Sequence, residues 1–196
     1  MRNRRADVVE RALDVLDRYG LADLTVRRLA SELGLQPSAL YHHFASKQAL
    51  LAAVAEEVLT RRPRRPRPDA WDDRVRVVCS ELRDAVLAYR DGAELVATVH
   101  AFGMGASAPG RELVEVLEQA GCPTPLARTA SRTLLHFVFG HAGDEQAHLQ
   151  AGSAGAIPND VRERADLLGP DDFASGLDLV VAGIASRLGA PVSGGR

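Results

Sequence analysis

The chain has 196 residues, 46% of them hydrophobic, which is enough for a packed core and too many for a disordered chain. No uninterrupted apolar run approaches the roughly 18 residues that cross a bilayer, and the basic start, MRNRRADVVERALDV, lacks the apolar region of a signal peptide. The net charge of −2 hides an asymmetry, because residues 1–68 carry 13 Arg and Lys against 8 Asp and Glu while the remainder carries 11 against 18.

A basic front on an acidic body suggests that the front meets a polyanion. The only cysteines, Cys79 and Cys122, lack paired spacing and read as reduced thiols of a cytoplasmic protein. Helical periodicity dominates and strand signals are nearly absent, so an all-α fold is expected.

In chain order, Val8, Val9, Ala12, Leu13, Val15 and Leu16 give residues 6–19 one apolar face, and Gly20 ends that helix. Thr25 can cap a second helix that stops at Gly34. Pro37 opens a very short third helix, where its missing N–H costs nothing. Ser46 can cap a fourth, from 47 to 60. The stretch RRPRRPRPD (61–69) cannot continue a helix. With five arginines in seven residues it reads as a solvated connection; long-range electrostatic steering and a partner site are the other readings. Further helices are expected at 70–90, 93–102, 109–121, 124–150 and 171–189, with a Gly/Ser/Ala-rich loop at 151–160. The domains predicted are 1–60, a connection 61–69, a larger helical bundle 70–190, and a flexible tail 191–196.

The third helix carries the first functional signal. Leu40 and Phe44 fall within about 40° of each other on a helical wheel and can anchor it against Leu29, Leu33 and the first helix. Ser38, Tyr41 and His42 then point away from that core, flanked by Ala39 and His43. Two helices crossing through a glycine turn form a helix-turn-helix, whose second helix fits the major groove. Thr25 and Lys47 stand at helix N-termini, where phosphate is favoured. A metal on His42 and His43 fails, since adjacent helical side chains diverge by roughly 100° and chelation needs i, i+3 or i, i+4 spacing.

The run LTVRRLASELGLQPSALYHHFASKQALLAAV resembles the DNA-binding domain of the TetR family of bacterial transcriptional regulators, over residues 6–60. The resemblance implies phosphate contacts from Thr25, Tyr41 and Lys47. It places Arg27, Gln36, Ser38, His42 and His43 in or beside the groove, with Arg27 and Gln36 reading bases.

Beyond residue 70 the segments LAYRDGAE, HFVFGHAGDEQAHL and FASGLDLVVAGI, with Trp71, are similar to the tetracycline-repressor branch, which senses drug–magnesium complexes. On that pattern a magnesium-binding histidine falls at Val96, a drug-binding asparagine at Val78 and a pocket phenylalanine at Leu82. TVHAF (98–102), with His100 and Phe102, replaces a Thr-Arg-Pro element, and a histidine becomes Pro63. His136 and the pair Asp144/Glu145 survive. The implied effector is therefore a small molecule more apolar than a magnesium–tetracycline complex.

His141, Asp144, Glu145 and His148 share one helix face; the spacing suits a divalent cation and equally a solvated face with helix-stabilising charge pairs. No cofactor is implied. No nucleophile elbow, phosphate loop or recognised metal motif supports an enzyme. In the last helix, Leu177, Leu179, Val180, Val181, Ile184 and Leu188, with Ala182, Gly183 and Ala185, make an apolar surface broader than one core face needs. Part of it is expected to bury against a second subunit, and the resemblance implies a four-helix dimer contact there. The expected function is a homodimeric repressor on a palindromic operator, with recognition helices roughly 34–36 Å apart, released when an effector alters that separation.

Overall fold

The computed structural model describes residues 4–105, 107–153 and 169–189. Nine helices and no strand occur among them. They form two groups, one of residues 4–62 and 84–105, the other of 63–83, 107–153 and 169–189.

In the first unit, α1 (Arg5–Tyr19) buries all six apolar positions of its stripe: Val8, Val9, Ala12, Leu13, Val15 and Leu16. Each fully buried Leu or Val contributes roughly 1.5–3 kcal/mol, so this face holds the unit together. It packs on α2 (Val26–Glu32) and α4 (Lys47–Thr60), and α2 in turn packs on α3 (Pro37–Tyr41). The N-terminus of α1 is tied by Asp7, whose carboxylate accepts from the Arg4 N–H at 2.7 Å and suits the positive end of the helix dipole. At the far end of α4, Arg61 binds Glu57 at 2.8 Å and also pairs with Glu10 of α1. α6 (Gly92–Ala101) packs on α4. This contact places it in the first unit although it follows α5 (Trp71–Leu87) in the chain; the division runs within α5, between Arg83 and Asp84.

In the second unit, α7 (Ala108–Gln119) and α9 (Pro170–Leu188) both pack on α8 (Thr124–Ser153). The Ser131 hydroxyl of α8 donates to the Gly110 carbonyl of α7 at 2.9 Å. At Gly176 of α9 an added Cβ would lie 2.7 Å from the Phe137 ring, so the two helices meet at a distance only glycine permits. Arg76 of α5 joins Asp72 and Asp73 on its own helix to Asp178 of α9.

The arginine-rich connection is exposed at residues 63–67, as a solvated linker is, but it is also anchored to the helices beside it. Glu81 of α5 is fully buried. Its carboxylate accepts from the Arg65 backbone N–H at 2.6 Å and from both Nη atoms of Arg67, at 2.6 and 2.8 Å. Arg67 also reaches Glu112 of α7 at 2.8 Å, and Arg64 lies 3.8 Å from the same residue. Prolines at 63, 66 and 68 keep this stretch out of a helix, and the carboxylates of α5 and α7 convert it into a strap.

α8 continues to Ser153, past the expected start of the loop at 151; the rest of that loop, and the expected tail 191–196, lie outside the described residues. No helix among the described residues is long and apolar enough to cross a membrane.

Candidate nucleic-acid interface

The residues expected to meet DNA lie on the first unit, and local caps set where each stands. The Thr25 hydroxyl oxygen accepts from the Arg28 N–H at 3.1 Å and starts α2, which leaves Arg27 exposed on the first turn. Arg28 is held from two sides: its guanidinium binds Asp23 at 2.9 Å and stacks over Tyr19 at 4.5 Å. Asp23 is thereby partly neutralised. Together with Glu32 it is the acidic part of an open depression of about 420 Å³ that Thr25, Arg27, Arg28 and Ser31 also line.

The turn to α3 passes through Gly34, whose φ of +66° lies in the left-handed region that favours glycine. There the Leu35 N–H donates back to the Ala30 carbonyl at 2.8 Å, locking the crossing of α2 and α3. Gln36 is the N-cap residue of α3 and Pro37 its first residue. The regular helix ends at Tyr41, but His42 keeps a right-handed helical backbone, and the N–H groups of His43 and Phe44 both donate to the Leu40 carbonyl at 3.0 Å. The helical path thus reaches Phe44, as the wheel requires. Leu40 and Phe44 are buried. Gln36, Ser38, Tyr41 and His42 are exposed, and His43 is half-buried at the edge. Ser46 caps α4 by accepting from the Ala49 N–H at 3.1 Å, which puts Lys47 at the first helical position, half-buried.

The geometry gathers polar side chains on α3 and the turn after it, whose apolar side is committed to the core, with the cationic Arg27 and Lys47 on α2 and α4. One neighbour was not foreseen from sequence: the Arg5 guanidinium lies 4.8 Å from the centre of the Phe44 ring. The two are far apart in the chain and no local pattern connects them.

The family model for bacterial regulatory proteins of the tetR family matches residues 8–54, and that for the tetracyclin repressor-like C-terminal domain matches residues 63–171. The chain belongs to the TetR family. It is 37% identical to the tetracycline repressor protein class A from transposon 1721 of Escherichia coli, over 92% of this chain and 89% of that one. Among solved structures, BioQ of Mycobacterium smegmatis matches with a TM-score of 0.83 at 39% identity, covering 94% of this chain and 99% of that one. A structure of BioQ with its natural double-stranded DNA operator matches with a TM-score of 0.76 at 37% identity, again over 94% and 99% of the two chains. The protein is thus a DNA-binding transcriptional regulator of the TetR family, with repressors among its relatives.

In this TetR-family chain the residues expected to line an effector pocket are divided between the units. Val96, His100 and Phe102 belong to the first; Val78, Leu82 and His136 belong to the second. Val78, Leu82 and Val96 are fully buried, His100 is half-buried, and Phe102 and His136 are exposed.

The four residues considered as a cation face on α8 do not converge. Arg83 takes Glu145 in a two-pronged contact at 2.9 and 2.5 Å. His141 packs against Phe137 and Phe173, ring centres 5.8 and 5.3 Å away, with Nδ1 3.8 Å from Asp172. Asp144 is exposed. Among the described residues no group of three His, Cys, Asp or Glu side chains is placed to hold a metal. Burial pushes the Cys79 thiol up to about 12, which keeps it protonated and unreactive.

Proposed function

We propose that this regulator is a homodimeric repressor that binds a palindromic operator and leaves it when a small, largely apolar molecule binds. The observation that carries the reading is the exposed polar side of α3, held outward because Leu40 and Phe44 are buried behind it. Gln36 and Arg27 read base edges, Ser38, His42 and His43 lie in or beside the groove, and Thr25, Tyr41 and Lys47 fix the register on phosphates. BioQ in complex with its operator supports this mode of binding.

The dimer reading is supported by the exposed sides of α8 and α9. On α9, Ser175, Leu179, Ala182, Gly183 and Ser186 are exposed, Leu179 to 77%; on α8, Thr133, His136 and Gly140 are exposed. A Cβ added at Gly140, Gly143 or Gly183 would meet nothing within 4 Å, so a second helix pair can approach closely. Leu179→Arg is expected to convert the dimer to a monomer in analytical ultracentrifugation and to weaken operator binding at least 100-fold, because two half-sites are no longer engaged together. An unchanged sedimentation coefficient would remove this face from the interface.

The effector reading rests on Val78, Leu82 and Val96, apolar where the tetracycline-repressor pattern has polar or aromatic groups. By linkage, an effector that weakens DNA binding is itself weakened by DNA to the same extent.

The DNA-facing assignment is tested by anisotropy titrations on duplexes recovered by selection from random sequence. Tyr41→Ala and Lys47→Ala are expected to weaken all duplexes alike. Gln36→Ala is expected to lose about 1–3 kcal/mol of discrimination at one base position. Equal loss on every sequence for Gln36→Ala would end its role as a reader.

A further inference from the structure

Arg5 opens α1 as an exposed residue with its guanidinium stacked over the Phe44 ring. Among the described residues no carboxylate forms an ion pair with it. By contrast, Arg11, Arg28 and Arg61 of the same unit are engaged by Asp14, Asp23, and Glu10 with Glu57. Arg5 does share the lining of a cavity of about 520 Å³ with Glu10, Glu56 and Glu57. Two of those acids are already bound to Arg61, so the charge of Arg5 is not consumed there.

A stacked guanidinium uses its face and keeps its N–H donors along the edge. Held on a ring, it also has less rotamer freedom to lose on meeting an anion than a free surface arginine would. The ring that holds it directly follows Tyr41, His42 and His43, and Lys47 begins the next helix. Arg5 therefore sits on the ring that closes the recognition segment.

We propose that Arg5 is a positioning contact to the DNA backbone, with Phe44 aiming its edge donors at a phosphate that flanks the bases read by α3. The inference rests on the DNA-facing reading of α3. Such a contact strengthens binding to every sequence and carries no base preference. It also gives Phe44 a second task, linking the anchor of the recognition helix to the start of α1.

The test is the salt dependence of binding to a random-sequence duplex and to a selected duplex, for the wild type, Arg5→Met, Arg5→Lys and Lys47→Ala. Methionine keeps an apolar contact with Phe44 and removes the charge; lysine keeps the charge. Arg5→Met is expected to bind both duplexes about 3- to 10-fold more weakly, and to flatten the slope of log K against log salt by about 0.9 per bound subunit. Arg5→Lys is expected to retain the wild-type slope. A wild-type slope in Arg5→Met, with Lys47→Ala flattened, would overturn the proposal and leave Arg5 as a staple on Phe44. Equal loss in Met and Lys variants assigns the effect to packing and also overturns it. If Lys47→Ala and Arg5→Met both match the wild type, the reading of this surface as DNA-facing fails and takes this inference with it.

Discussion

Phe44→Ala is expected to destabilise the first unit by about 3–5 kcal/mol, in the range measured for buried aromatic truncations, and to abolish operator binding. The ring is 5% exposed and stands behind the exposed side of α3. The helix it anchors, α3, is only five residues long, far below the length that persists unsupported in water. Removing the anchor therefore costs burial and also frees the one element that presents Gln36, Ser38, Tyr41 and His42. Urea denaturation with a DNA titration on the same sample checks both effects. Phe44→Leu, which refills most of the space, is expected to recover most of the stability while losing the Arg5 stack. If Phe44→Ala unfolds at the wild-type midpoint, the ring is no anchor.

The second large effect is expected at the strap, and it is asymmetric. Glu81 is fully buried, whereas the Arg67 side chain that grips it is 29% exposed and is also held by Glu112. Arg67→Met takes the guanidinium fork from a carboxylate with no access to water. A loss of about 3 kcal/mol is expected, at the low end for breaking a buried pair because the Arg65 N–H stays bonded. Glu81→Gln leaves the cation with partial water and a second acid, so about 1–2 kcal/mol is expected. Thermal melts of the two variants give the order directly. Equal losses would mean that the strap contributes shape and no charge pairing.

The parts of this molecule visible in its sequence are those that local chemistry determines. Thr25 and Ser46 act as caps, Pro37 opens α3, Gly34 makes the turn, and the six-residue stripe of α1 is the buried face; each signal spans a few residues. The exposed side of α3 followed from the same periodicity. The contacts that were not legible join distant positions. Arg83 meets Glu145 across 62 residues, Arg76 meets Asp178 across 102, and Arg67 meets Glu81 across 14. No propensity or spacing reports such pairs, and so a run of arginines and prolines looked like free linker. The cation face on α8 shows the same limit from the other side. Helical spacing aligned His141, Asp144, Glu145 and His148, but neither Arg83 nor the aromatic rings that claim two of them could be read from the spacing. Likewise, the place of α6 against α4 depends on packing and not on chain order.

The most direct test of sequence-specific regulation is binding of the purified protein to DNA from upstream of its own gene, titrated with salt and with random competitor duplex. Tight binding is expected that weakens steeply with salt, resists competitor, and loses that resistance in Gln36→Ala. Affinity no higher than for the competitor itself, across all upstream fragments, would contradict it.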